Sequence, residues 1–420
     1  MIHSGLSLAA ESALASLIAD YQAAVTAFRE GDDQAVEKAA RAALAQAPDL
    51  ATARYLLAVS LARQGWLSDA AQALTQLADQ GLTTRLEAET AFAPLQSEAR
   101  YAELRRQLVA NRAALGQPQS VVRTAVERFV PEGIAMAPAG DYWLLGSVHQ
   151  SRIIRVEADG EVSDWVRAGS DGLCSVLSLR YSSDGGSVYA ATACMKETAD
   201  IASEWLGRSG VFVYSAAGEH LASHWLPSDD RTHVFGDVLV WDEQTLVVSD
   251  SLDGAILWLD LASGKYRHWL APGALPNPQG ITRDQNGDGI YVADYQTGIY
   301  YLQPQQDAPV RMHNPQLAAL QGIDGLVRCG KQLVAIQNGV RPNRIIALQL
   351  GADPTHINSG QVLARGLPGW DEPTQGLLDG HRLIYIANSH WPRFDASGAL
   401  PVSAELDGPH LMALTIPDCQ

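Results

Sequence analysis

From Glu132 to the end of the chain, one short phrase keeps returning. A polar or acidic residue precedes a small apolar stretch; after a turn comes a β-rich run that closes on a small residue, Asp or Asn. The copies are Glu132-Gly133-Ile134 with Trp143-Leu144-Leu145-Gly146, Asp237-Val238-Leu239 with Val247-Val248-Ser249-Asp250, and Gln279-Gly280-Ile281 with Tyr291-Val292-Ala293-Asp294. Two more are Asp324-Gly325-Leu326 with Val334-Ala335-Ile336-Gln337-Asn338 and Gln375-Gly376-Leu377 with Tyr385-Ile386-Ala387-Asn388, and a degraded copy runs from Leu177 to Thr192. The starts at 132, 177, 237, 279, 324 and 375 are spaced by 45, 60, 42, 45 and 51 residues. That period is one four-stranded blade per repeat and predicts a mainly β chain folded as a six-bladed β-propeller. Each phrase opens at the same point of its blade. The first side chains, Glu132, Leu177, Asp237, Gln279, Asp324 and Gln375, are therefore expected to converge on one axis.

A ring of blades must be closed, or its edge strands stay open. Residues 121–128 and Leu411 to Ile416 are the available β-like runs, expected in one blade with the N-terminal strand outermost. Asp284-x-Asn286-x-Asp288-Gly289 opens like an EF-hand loop, but Tyr295 stands at the twelfth position and strands flank it, so it reads as a hairpin turn. Trp205, Trp225, Trp241, Trp258 and Trp269 fall at strand positions and suit packing between blades.

Before the repeats, Ala, Leu, Gln, Glu and Arg dominate and glycine is sparse, which is helix chemistry. Gly31 and Gly65 lie 34 residues apart, each ahead of an amphipathic run, Asp32 to Ala47 and Trp66 to Gln80, with a further helix over Leu50 to Gln64. The period resembles tetratricopeptide helical hairpins, although the Trp-Leu-Gly-Tyr run is missing. The segment 1–116 is read as a small all-α domain and 117–420 as the propeller, with the boundary at Leu115-Gly116-Gln117-Pro118. The helices either pack on the propeller as a cap or offer a peptide-docking groove.

Of the 420 residues, Asp and Glu outnumber Lys and Arg by 47 to 30, with no basic block, so a nucleic-acid partner is not expected. No apolar run reaches membrane-spanning length, and no signal peptide is visible at Met1-Ile2-His3-Ser4-Gly5, so a soluble, cytoplasmic protein is expected, with the periplasm left open. Cys174, Cys194, Cys329 and Cys419 form no CxxC pair and are expected as free, mostly buried thiols. There is no Gly-x-Ser-x-Gly elbow, phosphate-cradling loop or His-Glu-x-x-His motif.

Five of the six blade-start residues carry oxygen. Carboxylates gathered on one axis repel each other and lose hydration, and a hard divalent cation offsets that. Strand-end capping by the same residues, with water in the channel, is the alternative. A second polar set, Asp250-Ser251, Asp294-Tyr295, Gln337-Asn338 with Arg341, and Asn388-Ser389-His390-Trp391, is expected in part at the opposite channel end. Glu372 precedes the last copy. Asp250, Asp294 and Asn338 suit turn capping.

Residues 120–420 resemble the senescence-marker/gluconolactonase-like propellers, whose ligands to one catalytic divalent cation, usually Ca2+, come from Glu-Gly, Asn-Gly and Asp-Gly phrases. Pro131-Glu132-Gly133 and Ile323-Asp324-Gly325 match the first and third, and Gln279 of Pro278-Gln279-Gly280 replaces the Asn. The resemblance implies a metal set of Glu132, Gln279 and Asp324, holding Ca2+ or else Mg2+, Mn2+ or Zn2+. The family's Arg-Phe-Asn-Asp phrase reads Val234-Phe235-Gly236-Asp237 here, so sugar-lactone specificity does not carry over.

Two functions follow. In the first and preferred one, the protein is a metal-dependent hydrolase of a lactone or related ester. Asp237 or Asp324 takes a proton from water, His390 or His233 is the fallback base, and His233, Gln375, Asn338, Arg341 and Trp391 contact substrate. In the second, propeller and helices form a non-catalytic module that binds a protein partner around a structural ion.

Overall fold

The computed structural model describes residues 2–306, 308–315 and 318–419, with side chains from residue 12 onward. Six four-stranded antiparallel sheets form the blades of a propeller. Their innermost strands are Pro131–Met136, Ser175–Tyr181, Phe235–Val240, Pro278–Arg283, Ile323–Cys329 and Gly376–Asp379, numbered here as blades one to six. Second strands such as Tyr142–Ser147 and Gln332–Gln337 are buried throughout, because neighbouring blades cover both faces, and so they read as continuous apolar runs. Outer strands such as Lys265–Leu270 are mostly wet and carry the charge.

The ring closes as the sequence reading expects. Strand Gln119–Arg123 pairs with His410–Thr415 as the outermost strand of blade six, with Gln119 opposite Ala413 and Arg123 opposite His410. Trp258 and Trp269 stack at 4.3 Å with Trp241 edge-on, packing rather than ligand stacking. The Asp284 segment is a turn: its carboxylate accepts the Asp288 amide at 2.9 Å and the Tyr301 hydroxyl at 2.6 Å.

One irregularity recurs. In blades one to five the pairing of first and second strand slips at its start, between Pro131 and Ile134, Val176 and Ser178, Phe235 and Asp237, Pro278 and Ile281, and Ile323 and Gly325. In blade six the Thr374 amide donates to the Ile386 carbonyl while the Ile386 amide donates to Gln375, so one residue again faces two. A bulge turns its extra side chain out of the ladder. In this fold it turns that side chain into the channel.

The cysteines correct the sequence reading. They are not free thiols: Cys174 pairs with Cys194 and Cys329 with Cys419. Cys174 and Cys194 flank the paired residues Ser175 and Ala193, which brings their Cα atoms to 5.0 Å. Separations of 20 and 90 residues carry no motif; only the folded register brings the sulfurs together.

The N-terminal helices are α1 (Ile2–Glu30), α2 (Asp33–Gln46), α3 (Ala51–Arg63), α4 (Leu67–Asp79) and α5 (Tyr101–Arg112). Asp32 caps α2 by accepting the Ala35 amide at 3.0 Å. Among the described residues no helix is long and apolar enough to cross a membrane. The helices pack onto blades four and five. Asp49 accepts two bonds from Arg311 at 2.8 and 2.9 Å, and buried Arg344 reaches the Gln80 carbonyl at 2.7 Å. The Thr83 amide donates to Arg341 O at 2.8 Å, and the Thr52 amide to Gln321 at 2.9 Å. The helical core also takes in Ala319 and Val340 from the propeller loops.

Candidate functional site

The six bulges set the register of the channel mouth. The residues they turn inward are Glu132, Leu177, Gly236, Gln279, Asp324 and Thr374. The first five line one cavity of about 270 Å³, and Thr374 reaches two of its carboxylates. The expected ring thus holds at four of six positions. Asp237 and Gln375 stand one residue further on, where the other blades have Gly133, Ser178, Gly280 and Gly325. That position faces the next blade: a Cβ on Gly280 would meet the Asp324 carbonyl at 2.6 Å, and one on Gly325 the Thr374 carbonyl at 2.8 Å.

The second polar set lies at the same end of the channel, not at the opposite one. An antiparallel hairpin returns the end of its second strand to the start of its first, as in the pairs Ile323–Gln337 and Pro278–Asp294. Tyr295 and Asn338 therefore join Glu132, Gln279 and Asp324 in the cavity wall, together with Glu372 and Trp391.

A chain of hydrogen bonds runs through these groups. The Tyr295 hydroxyl donates to Asn338 Oδ1 at 3.0 Å, and Asn338 Nδ2 donates to Asp324 Oδ2 at 2.6 Å. The Trp391 indole donates to Glu132 Oε2 at 2.7 Å. Between the two carboxylates sits Thr374 Oγ1, 2.7 Å from Asp324 Oδ2 and in close contact with Glu132 Oε1. A hydroxyl has one hydrogen, so it satisfies one acceptor and leaves oxygen against oxygen at the other. The pair needs one more positive charge, a proton or a metal cation.

The acidities agree. Burial, then the charge of Asp324, raises the Glu132 carboxyl well above its usual range. Burial raises Asp324, opposed by its bonds from Thr374 and Asn338. Burial and the Asp324 charge push Glu372 up to about 7. Glu372 Oε2 is buried without a hydrogen-bond partner, and its backbone holds φ 62°, a strained value for a side-chain-bearing residue. Three carboxyls that resist ionisation around one cavity fit a hard divalent cation held by oxygen. Glu132, Asp324 and Gln279 bring oxygen-bearing side chains to the wall of this one cavity. Gln279 spends its amide nitrogen on Asn277 Oδ1 at 2.9 Å, which leaves its oxygen for the cavity.

Other sequence candidates lie elsewhere. Asp237 is fully buried and takes no part in the cavity: it accepts Ser178 Oγ at 2.6 Å, Arg180 at 2.9 Å, and the amides of Val238 at 2.9 Å and Ile281 at 3.0 Å. It ties the inner strands of blades two, three and four and is no proton acceptor. His233 is caged between Asp250 at 2.6 Å and Asp229 at 2.9 Å. Burial disfavours its cation, but these bonds outweigh that and raise its pKa to about 9. Among the described residues, His233, Asp250 and Asp253 are the one trio of His, Cys, Asp or Glu with ligand atoms within 4.8 Å of one another. Both imidazole nitrogens are already bonded, and Arg231 pairs with Asp253 at 2.8 Å, so the trio is a closed ionic cage.

His390 is buried under its loop, with Nδ1 2.9 Å from Asp371 and Nε2 2.9 Å from the Asp407 carbonyl. It fixes the turn that presents Trp391 and does not line the cavity. Gln375 is buried just ahead of the inner strand of blade six and does not line this cavity. Arg341 is exposed at the rim, bonded to Asn338 O at 3.0 Å and Asn343 Oδ1 at 2.6 Å, and its charge draws down Glu372. Asp250 and Asp294 cap turns, Asp294 by accepting from Thr297 and Asn277.

Glu372, Thr374 and Tyr295 are site residues that the sequence pattern does not single out. Thr374 had one available signal, its place immediately before the small-residue step of the last phrase. Glu372 and Tyr295 sit in loops outside the period.

No protein-family model matches the chain, and no curated protein matches it. Among solved structures, the fold is similar to a PQQ-bound aldose sugar dehydrogenase from Streptomyces coelicolor (15% identity, 72% of this chain and 99% of that one, TM-score 0.49). It is also similar to a gluconolactonase from Xanthomonas campestris (15%, 73% and 93%, 0.47). A third is regucalcin, a calcium-binding protein from Agrobacterium tumefaciens (15%, 71% and 97%, 0.46). At this distance the likenesses concern architecture alone, which the strand pairing already establishes.

Proposed function

We propose that the channel-mouth cavity holds a divalent cation, Ca2+ before Mg2+, Mn2+ or Zn2+, and that the protein is a cation-dependent hydrolase of a lactone or related carboxylic ester. The observation that carries this reading is the single Thr374 hydroxyl set between Glu132 and Asp324, with a third carboxyl, Glu372, left without a partner in the same cavity. Glu132, Asp324 and Gln279 are the holding residues. Bound there, a cation supplies charge that offsets the carboxylates and polarises an ester carbonyl. Asn338 and Trp391 orient the two carboxylates through their bonds.

We assign the base role to Glu372, a cavity-lining residue whose Oε2 has no hydrogen-bond partner. It accepts a proton from water as the water oxygen attacks the carbonyl carbon. The acyl–oxygen bond then breaks, and the same proton passes to the leaving oxygen. One water is consumed, and one acid and one alcohol group form. The two disulfides favour an oxidising working compartment over the cytoplasm expected from sequence.

The test is calorimetry with Ca2+, Mg2+, Mn2+ and Zn2+ on the parent and on Asp324→Asn, alongside a lactone and ester panel assayed with the loaded protein. Binding lost in the variant, together with cation-dependent hydrolysis, supports the reading. An absence of cation binding, or equal binding by the variant, overturns it.

A further inference from the structure

The channel mouth is chemically lopsided. Carboxyl and hydroxyl groups come from blades five, six and one, whereas blades two and three offer Leu177 and Gly236, with no side-chain polar atom at either bulge. On that side a second cavity of about 500 Å³ opens from the first, and the two share Met195, Val234, Ser251, Gln279 and Trp391. Its outer wall is Leu206 and Leu252, which are 46% and 58% exposed. Exposed aliphatic side chains in the wall of a concave site suit the apolar part of a ligand. Its floor continues the apolar cluster of Leu177, Val130, Val148 and Leu400.

Several of the polar groups in this wall are bonded to other parts of the protein, and Glu197, Thr232 and the Gln279 oxygen are the remaining ones. Asn277 bonds Ser251 O at 2.8 Å and accepts from Gln279, and the Lys196 ammonium reaches Ala396 O at 2.9 Å. Trp391 joins the two halves: its indole nitrogen is spent on Glu132, while its ring lines both cavities. Its loop is held by His390.

We infer that this lobe receives an aliphatic arm of the substrate, so that the protein acts on lactones or esters bearing an alkyl chain rather than on polyhydroxylated sugar lactones. The inference rests on the hydrolase reading above for the chemistry, but the lobe makes its own claim about binding. A hydroxylated arm placed against Met195, Leu206, Val234, Leu252 and Trp391 would lose its bonds to water with no partner among those side chains. An alkyl arm trades wet surface for Met195, Leu206, Val234, Leu252 and Trp391.

The experiment uses the full chain and a series of γ-lactones with no substituent, then ethyl, butyl and hexyl arms, together with gluconolactone. Binding of the 1-alkanols from butanol to octanol is followed in parallel by calorimetry, which needs no turnover. Both are repeated with Leu206→Asp/Leu252→Asp, two exposed positions whose change leaves the core untouched. For buried methylenes, kcat/KM should rise about two- to fourfold per methylene, with alkanol affinity following, and the double variant should flatten both. Hydrolysis that is blind to chain length, prefers gluconolactone, or keeps its slope in the variant overturns the inference and leaves the hydrolase reading standing. Chain-length-dependent alkanol binding, lost in the variant, without hydrolysis of any lactone keeps the lobe and removes the hydrolase. If neither hydrolysis nor graded alkanol binding occurs, both fall.

Discussion

Thr374 carries one hydrogen between two carboxylates, and the chemistry of the site follows from that shortage. Without a cation the folded protein holds protons on Glu132, Asp324 and Glu372 that the unfolded chain releases. For Glu372 the window runs from the ordinary 4.5 up to about 7. Stability changes with pH in proportion to protons bound unfolded minus protons bound folded, here negative, so the cation-free protein should lose stability as pH rises through that window. His233 acts in the same direction: its cationic contribution is full below 6.5 and fades as pH rises through about 9. Thermal melts in a chelator should be higher at pH 5 than at pH 8, and added Ca2+ should restore the loss at pH 8. A chelated protein more stable at pH 8 would contradict the site. Glu372→Gln should lower kcat by about 10²–10³-fold and remove the acid limb of the pH profile, while cation affinity changes little. If its kcat matches the parent's, the base lies elsewhere.

At the level of the strand, the bulge decides which side chain enters the channel. Period and phrase were enough to read six blades, the closing strand and four cavity residues, Leu177 among them, and a polar residue before a glycine marks the bulge at Glu132, Gln279 and Asp324. They missed by one at Asp237 and Gln375, because a polar side chain there occupies the slot that glycine fills in three other blades. Charge alone does not distinguish a residue in the channel from one wedged between blades. Asp237→Asn should therefore cost about 2–4 kcal/mol of stability and leave the activity of the folded fraction intact, measured by denaturant melts beside active-site titration. Gly236 has the opposite constraint. A Cβ there would lie 2.5 Å from Ser251 Oγ and 3.0 Å from Gln279 Oε1. Gly236→Ala should displace the Gln279 amide and weaken cation binding about tenfold or more, at a stability cost of about 1–3 kcal/mol, read by calorimetry and melting. The disulfides were illegible for a related reason, since pairing at long separation depends on strand register. Reducing both should lower stability by roughly 2–4 kcal/mol each.

Across the whole molecule, helices and propeller meet behind the site. Arg344, wholly buried and drawn down to about 10 by burial, bonds Gln80 O from the helical side and Gln337 Oε1 at 2.6 Å, the residue next to Asn338. Arg344→Met should leave the Gln80 carbonyl and Gln337 Oε1 without their donor and cost about 2–4 kcal/mol, with looser cation binding as the Asn338 loop relaxes. The claim on which the functional reading depends is that Glu132 and Asp324 share one cation. It is tested most directly by titrating Ca2+ into chelator-treated protein at pH 7, in two buffers of different ionisation enthalpy. The account predicts one ion per chain with protons released on binding, and neither heat nor release in Asp324→Asn. Binding without proton release, or heat unchanged in that variant, would contradict it.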